Sequence, residues 1–189
     1  MEYTNNRTTA ITVAQDDPRC VVIRESYGSA DKMLTTIMGR EPSADTPSLV
    51  MVLHAYGHGS IIRQLGARVR AAVLRMDDTA LNDEEIMSIA TAMASDKAAR
   101  TLGYDLVMEF FSCLERGEYE VFSFKPRHVM AAFRKYERHA RQVQSTLKQE
   151  AEWKRYEEEM AEHRKHAITF EEYKRRTGYQ GENPINQQV

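Results

Sequence analysis

The stretch PRHVMAAFRKYERHARQVQSTL, residues 126–147, decides the fold class. Within it Val129, Phe133, Tyr136, Ala140, Val143 and Leu147 recur at alternating steps of four and three residues, the spacing that stacks side chains on one stripe of an α-helix. Pro126 suits the first turn of that helix, where its missing N–H interrupts no hydrogen bond. Arg127, Arg134, Lys135, Arg138, Arg141 and Lys148 surround the stripe, against a single acid, Glu137. Such a helix buries one face on a core and offers positive charge on the rest. Its pattern names no reaction.

Working upstream, the same period returns three times. Residues 105–116 present Leu106, Phe110, Cys113 and Leu114, with Val107 and Phe111 widening the face, and Gly117 ends the run. This is predicted to be the most buried helix. Asn82 followed by Glu85 forms a capping box ahead of Ile86, Ile89, Ala90 and Met93. Residues 60–76 carry the stripe Ile62, Leu65, Val69, Val73 and Met76, with Ser60 as the expected cap. Ser48 is the expected cap of a helix over 49–56, which Gly57-His58-Gly59 then breaks. Residues 39–47, with Pro42 and Pro47, read as a loop. The apolar run 20–23 fits either a strand or the start of a helix reaching Tyr27, and 119–124 fits a short strand or an extended connector.

Downstream of Leu147 the stripe loses phase. Trp153, Tyr156 and Met160 keep the three–four spacing but are offset from it, and roughly half of 148–166 is charged, with Glu150–Lys154 oriented for i,i+4 support. This predicts a solvated helical extension. Thr169 with Glu172 makes a second capping box, stapled by Ile168 and Tyr173, so a short helix is expected after a bend near Ala167 and before Gly178. Residues 1–17 read as a disordered lead and 179–189 as a disordered tail. The chain is therefore predicted to be all-α: a compact helical bundle over 18–148 with a charged helical extension over 149–178.

Composition sets outer limits. The 189 residues suffice for one substantial core. The 42% apolar and 29% charged shares suit a domain with long solvated helices. A net charge of −2 argues against a protein that coats nucleic acid, yet the charge is segregated. Residues 58–76 hold four arginines and no acid, 77–120 hold eleven acids against three bases, and 125–148 hold seven bases against one acid. Cys20 and Cys113 form no disulfide framework, so a reducing compartment is expected. The lead lacks the apolar segment of a signal peptide, and no run approaches the roughly 20 apolar residues of a membrane span. A cytoplasmic protein with no membrane contact is the expectation.

Catalytic patterns are weak throughout. His54 and His58 have a metal-type spacing, but the intervening glycine breaks the helix and no Glu follows His54. Glu159, His163 and His166 fit a solvated face better than a ligand set. Ser26, Ser60 and Ser112 lack a nucleophile-elbow setting, and Gly57-His58-Gly59 is too short to cradle phosphate. The acids Asp77-Asp78 precede a helix start, where the dipole favours them. Neither a catalytic residue, a metal site nor a cofactor is expected.

The arginines carry more. A short helix, a glycine turn and a second helix bearing Arg63, Arg68, Arg70 and Arg75 is the coarse outline of a helix-turn-helix. Arg134, Lys135, Arg138 and Arg141 would extend the positive surface, and Tyr119, Phe122, Phe124 and Tyr136 lie nearby in sequence as core or as stacking groups. These eight cations are the candidate nucleic-acid-binding residues. The competing account is a helical hairpin whose arginines pair with the acids of 77–120.

Several short motifs occur in an order that resembles small helical proteins of prophages and conjugative elements of gut anaerobes, a group with no established activity. They are Ser48-Leu49 leading to Tyr56-Gly57, then Asn82-Asp83-Glu84-Glu85-Ile86 with Ile89-Ala90. Asp105-Leu106 with Phe110-Phe111 follows, then Glu115-Arg116-Gly117-Glu118-Tyr119, and Val129-Met130 ending in Tyr136-Glu137-Arg138. The chain departs from the group at 94–99, which is alanine-rich where those proteins tend to carry bulkier aromatics. The resemblance, and a looser similarity to phage helicase loaders, implies a role in replication or maintenance of mobile DNA, with a replicative helicase as candidate partner. The first expectation is thus a non-enzymatic accessory protein of a mobile element that binds a replication protein, DNA or both. The second is a helical interaction module that self-associates through 129–160 as a homo-oligomer and has no nucleic-acid role.

Overall fold

The structure is a computed structural model that describes residues 17–75, 81–121, 123–167 and 170–178. Met76, Asp77-Asp78, Phe122, Ile168, Thr169 and nearly all of the expected lead and tail lie outside the described residues. The helices are α1 (Pro18–Tyr27), α2 (Ala30–Ile37), α3 (Leu49–Tyr56), α4 (His58–Arg75), α5 (Asp83–Ser95), α6 (Lys97–Thr101), α7 (Tyr104–Glu115), α8 (Pro126–His166) and α9 (Phe170–Thr177). Among the described residues there is no strand, only one isolated bridge between Ser48 and Gly103. The fold is all-α. The chain divides into two compact units, Met1–Lys148 and Gln149–Val189, with the division falling inside α8.

In the first unit α7 is the central element. Nine of its 12 residues are buried, including Phe110, Phe111 and Leu114. Gly117, at φ +73, ends it in a Schellman turn: its N–H donates to Leu114 O and that of Glu118 to Cys113 O. α5 opens on the expected capping box, with Asn82 and Glu85 exchanging hydrogen bonds, and buries Ile86, Ile89, Ala90 and Met93. α8 buries Val129, Ala132, Phe133, Tyr136 and Ala140 within this unit. The alternative of a strand at 20–23 is closed: α1 starts at Pro18, capped by Asp17, and buries Cys20 and Ile23 while Val21 and Val22 face outward. That i, i+3 division is a helix's, and it uses only half of the apolar run.

One expected cap is refined and one corrected. Ser48 holds the N-cap position of α3 as expected but makes no side-chain cap bond. Instead the starts of α3 and α7 satisfy each other: Leu49 N–H donates to Leu102 O and Tyr104 N–H to Pro47 O, both at 2.9 Å. Each extended cap residue thus lends a neighbouring carbonyl to the other helix's first orphan amide. Ser60 is no cap, because α4 begins at His58. Gly57, at φ +83, turns the chain alone and donates its N–H to Leu53 O. Starting earlier, α4 buries Ile61, Gln64, Leu65, Val69, Ala72 and Val73, and Ile62 is only half-buried.

Gln64 is a polar residue in that buried stripe, 6% exposed. It accepts from Tyr104 Oη at 2.7 Å and donates to Asp31 Oδ1 at 2.9 Å, so one polar chain ties α7, α4 and α2 together. Each buried atom in it has a partner, which is the condition for such a chain to stabilise. In the second unit α8 runs on to His166, and α9 closes at Gly178 (φ +69), whose N–H donates to Lys174 O. No helix among the described residues is long and apolar enough to cross a membrane.

Candidate functional site

The eight candidate cations divide between two helices of the first unit, and their partners decide what they can do. On α4, Arg68 and Arg75 converge on one acid, Glu115, at 2.9 and 3.0 Å. Glu115 is the last residue of α7, and its side chain is 6% exposed. Arg68 is also largely buried and donates to Ser112 Oγ at 3.1 Å. Arg70, on the opposite flank, pairs with Asp83 at 2.5 Å, at the first turn of α5. Only Arg63 of this group is exposed with no ion pair among the described residues.

On α8, Arg134 reaches Asp96 and Glu137, and Arg141 donates to Glu137 at 2.8 Å and to Thr101 Oγ1 at 3.3 Å. Lys135 and Arg138 are exposed with no ion pair among the described residues. Five of the eight cations are therefore held by carboxylates, four of those five by acids within 77–120. The paired candidates are also spread along the surface. Arg70 is held at the first residue of α5 and Arg134 just past its last, and a 13-residue helix separates such points by about 20 Å.

α4, the second helix of the helix-turn-helix outline, buries seven of its 18 residues and packs on both α5 and α7. A Cβ at Gly66 would sit 3.2 Å from Met87 Sδ, so α4 and α5 approach closely there. The nearby aromatics are occupied too. Phe124 and Tyr136 are buried, and Tyr119 packs edge-on against Tyr136 at 5.8 Å. Tyr119 and Tyr136 pack on each other and Phe124 is buried, so these three do not stand open to bases.

Asp96 is the residue that sequence reading missed. It follows α5, caps α6 by accepting from the Ala98 and Ala99 amides at 2.9 and 3.0 Å, and pairs with Arg134 of α8. Burial pushes its carboxyl up, but the Arg134 and amide hydrogen bonds prevail and hold it below the usual range. Asp96→Ala should cost about 1–2 kcal/mol, mostly as a lost cap with a partly exposed ion pair added. Because the folded-state pKa is depressed, the contribution is complete above the unfolded value of about 3.9 and is lost as pH falls through the lower folded value. Urea titrations should show a constant wild-type advantage from about pH 7 to 5 that closes below about pH 4. A gap unchanged at low pH would assign the loss to something other than the ionised carboxylate.

Nucleophile chemistry finds little purchase. Burial, with help from Glu118, pushes the Cys113 thiol up to about 12, so it stays protonated at neutral pH. Ser112 is engaged by Arg68, and Gly57 places His54 and His58 on separate helices. No three His, Cys, Asp or Glu side chains among the described residues are grouped to hold a metal ion.

The second unit has a different surface. Trp153 and Tyr156 are 62% and 53% exposed, with ring centroids 5.8 Å apart on the same face of α8. Gln149 and Glu152 border the shallow depression between them. No family model, curated protein or solved structure matches the chain.

Proposed function

We propose that this chain is a non-enzymatic helical module that works by binding another protein. The observation that carries this reading is the pairing of its arginines: Arg68, Arg70, Arg75, Arg134 and Arg141 lie at ion-pair distance from the molecule's own carboxylates, Arg68 in a largely buried pair and the others at the surface. A duplex-binding surface needs several free cations on one side, because each phosphate contact draws its free energy from counterion release. Of the eight candidates that leaves Arg63, Lys135 and Arg138 with no ion pair among the described residues. The exposed Trp153–Tyr156 pair supports the protein-binding side, since tryptophan and tyrosine are enriched where proteins meet. In the setting that the sequence resemblance implies, the partner belongs to the replication or maintenance of mobile DNA, and a replicative helicase is the candidate to try.

Fluorescence anisotropy with labelled single- and double-stranded DNA tests the reading. At about 50 mM salt, binding should be undetectable or weak, and any log–log salt slope should be no steeper than about −3, as for about three contacts at about −0.9 each. Binding with a slope of about −5 or beyond would overturn it, because that many phosphate contacts amount to a nucleic-acid-binding surface.

A further inference from the structure

The geometry points to a docking seam on α8 for a basic amphipathic helix of a different protein, an inference that rests on the protein-binding reading above. Trp153, Tyr156 and Met160 follow one another at three- and four-residue steps, so they form one narrow apolar stripe, the a and d positions of a short heptad run. Trp153 and Tyr156 are exposed along it. On a helical wheel Glu150 and Glu157 fall on one flank of the stripe, and Glu152 and Glu159 on the other. Lys154, Arg155 and Lys165 fall on the far side together with Glu158 and Glu162, and the flank turns basic only beyond Met160, at Arg164.

The acids of the flanks are available. Glu150, Glu152 and Glu157 are exposed and make no ion pair among the described residues, and Glu159 touches only His163, at 3.7 Å. Arg155 turns instead to the carbonyl of Ala151. An apolar stripe between two rows of carboxylates is complementary to a helix with aliphatic a and d positions and Lys or Arg at e and g.

Charge excludes the other occupants. A parallel second copy would set Glu152 against Glu157 of its partner. An antiparallel copy would bring the two Glu157 together and the two Glu159 together. Like charges in those positions repel. Residues 179–189 contain no Lys or Arg, so that segment does not supply the complement.

The chain contains one tryptophan, so intrinsic fluorescence reports on this seam alone. The full chain should be titrated with two synthetic three-heptad peptides, both with Ile and Leu at a and d, one with Lys and one with Glu at e and g. The Lys peptide should shift Trp153 emission to the blue and protect it from acrylamide. The Glu peptide should bind at least about tenfold more weakly, the scale of four exposed ion pairs acting together. The variant carrying Glu150→Lys, Glu152→Lys, Glu157→Lys and Glu159→Lys should reverse the preference, and because all four are exposed its helical circular dichroism should stay unchanged.

Equal response to both peptides, or none to the Lys peptide, overturns the seam. A blue shift that grows with the chain's own concentration also overturns it, in favour of a second copy. The DNA titration does not read Trp153, so a failed seam with shallow DNA binding removes this surface and leaves the protein-binding reading standing.

Discussion

Replacing Phe110 with Ala should destabilise the protein by about 3–5 kcal/mol, the range for a fully buried aromatic. Phe110 is 0% exposed and stands at the α7–α8 contact. Its ring meets Phe133 edge-on at 5.2 Å and 79°, and lies 5.4 Å from both Phe111 and Tyr136. The neighbours cannot collapse freely into the space left behind. Phe133 is itself fully buried, and the Tyr136 hydroxyl is pinned by its 2.7 Å bond to Leu106 O. A loss of that size is a large part of the roughly 5–15 kcal/mol that holds a domain together. Urea denaturation of the variant measures it, and a loss below about 1 kcal/mol would mean that the ring is not packed as described. A cycle with Phe133→Ala should give a coupling of about 0.5–1.5 kcal/mol, the edge-to-face contribution beyond area.

That α7 and α8 would be helices with large buried residues was readable from the sequence, because each presents several apolar side chains at helical spacing; which helix meets which was not. The same holds for α5, whose capping box is wholly local. α2 and α6 were not legible. α2 is eight residues long and buries Ala30, Met33 and Ile37, and α6 is five long with Ala99 inside. Elements that short complete barely two turns, too few for a period to stand above the background. Ser48 sits at the cap position as expected, but the carbonyl that satisfies Leu49 belongs to Leu102, far away in the chain. Local rules name the residue type that suits a helix start, but the partner it finds is a tertiary matter.

The candidate site divides the same way. Reading Arg63 to Arg75 and Arg134 to Arg141 as two cationic groups was sound as an inventory, and so was the acidic block between them. Whether cations face solvent or their own acids depends on which helices touch. Arg134 and Asp96 are 38 residues apart and become neighbours only once α8 lies beside the α5–α6 junction. The seam at Trp153 had a local signal, the slip of phase after Leu147. Its charged surroundings suggested a solvated face, and the placement of Glu150, Glu152, Glu157 and Glu159 along both flanks of the stripe was the distinguishing detail.

Glu115 offers the sharpest test of that inward pairing. Glu115→Ala should cost about 3–5 kcal/mol, the range for removing one partner of a buried ion pair. The position is costly for an acid by itself, since the C-terminal end of a helix already carries partial negative charge. Glu115 is tolerated there because Arg68 and Arg75 both reach it. The contact to Arg68 is at ion-pair distance, but Glu115 Oε1 and Arg68 Nε make no hydrogen bond among the described residues, so the lower end of the range is expected. Without Glu115, Arg68 keeps only Ser112 Oγ as partner for a guanidinium whose side chain is 16% exposed. Arg75 is 71% exposed, and Arg75→Ala should therefore cost less than about 1 kcal/mol. Replacing the buried pair together, Arg68→Met with Glu115→Leu, should recover most of the loss, because apolar groups of similar volume leave no charge unpaired. Chemical denaturation of the three variants decides the matter. If Glu115→Ala and Arg75→Ala lose the same small amount, the arginines of α4 are not committed to the core and remain available to a phosphate backbone.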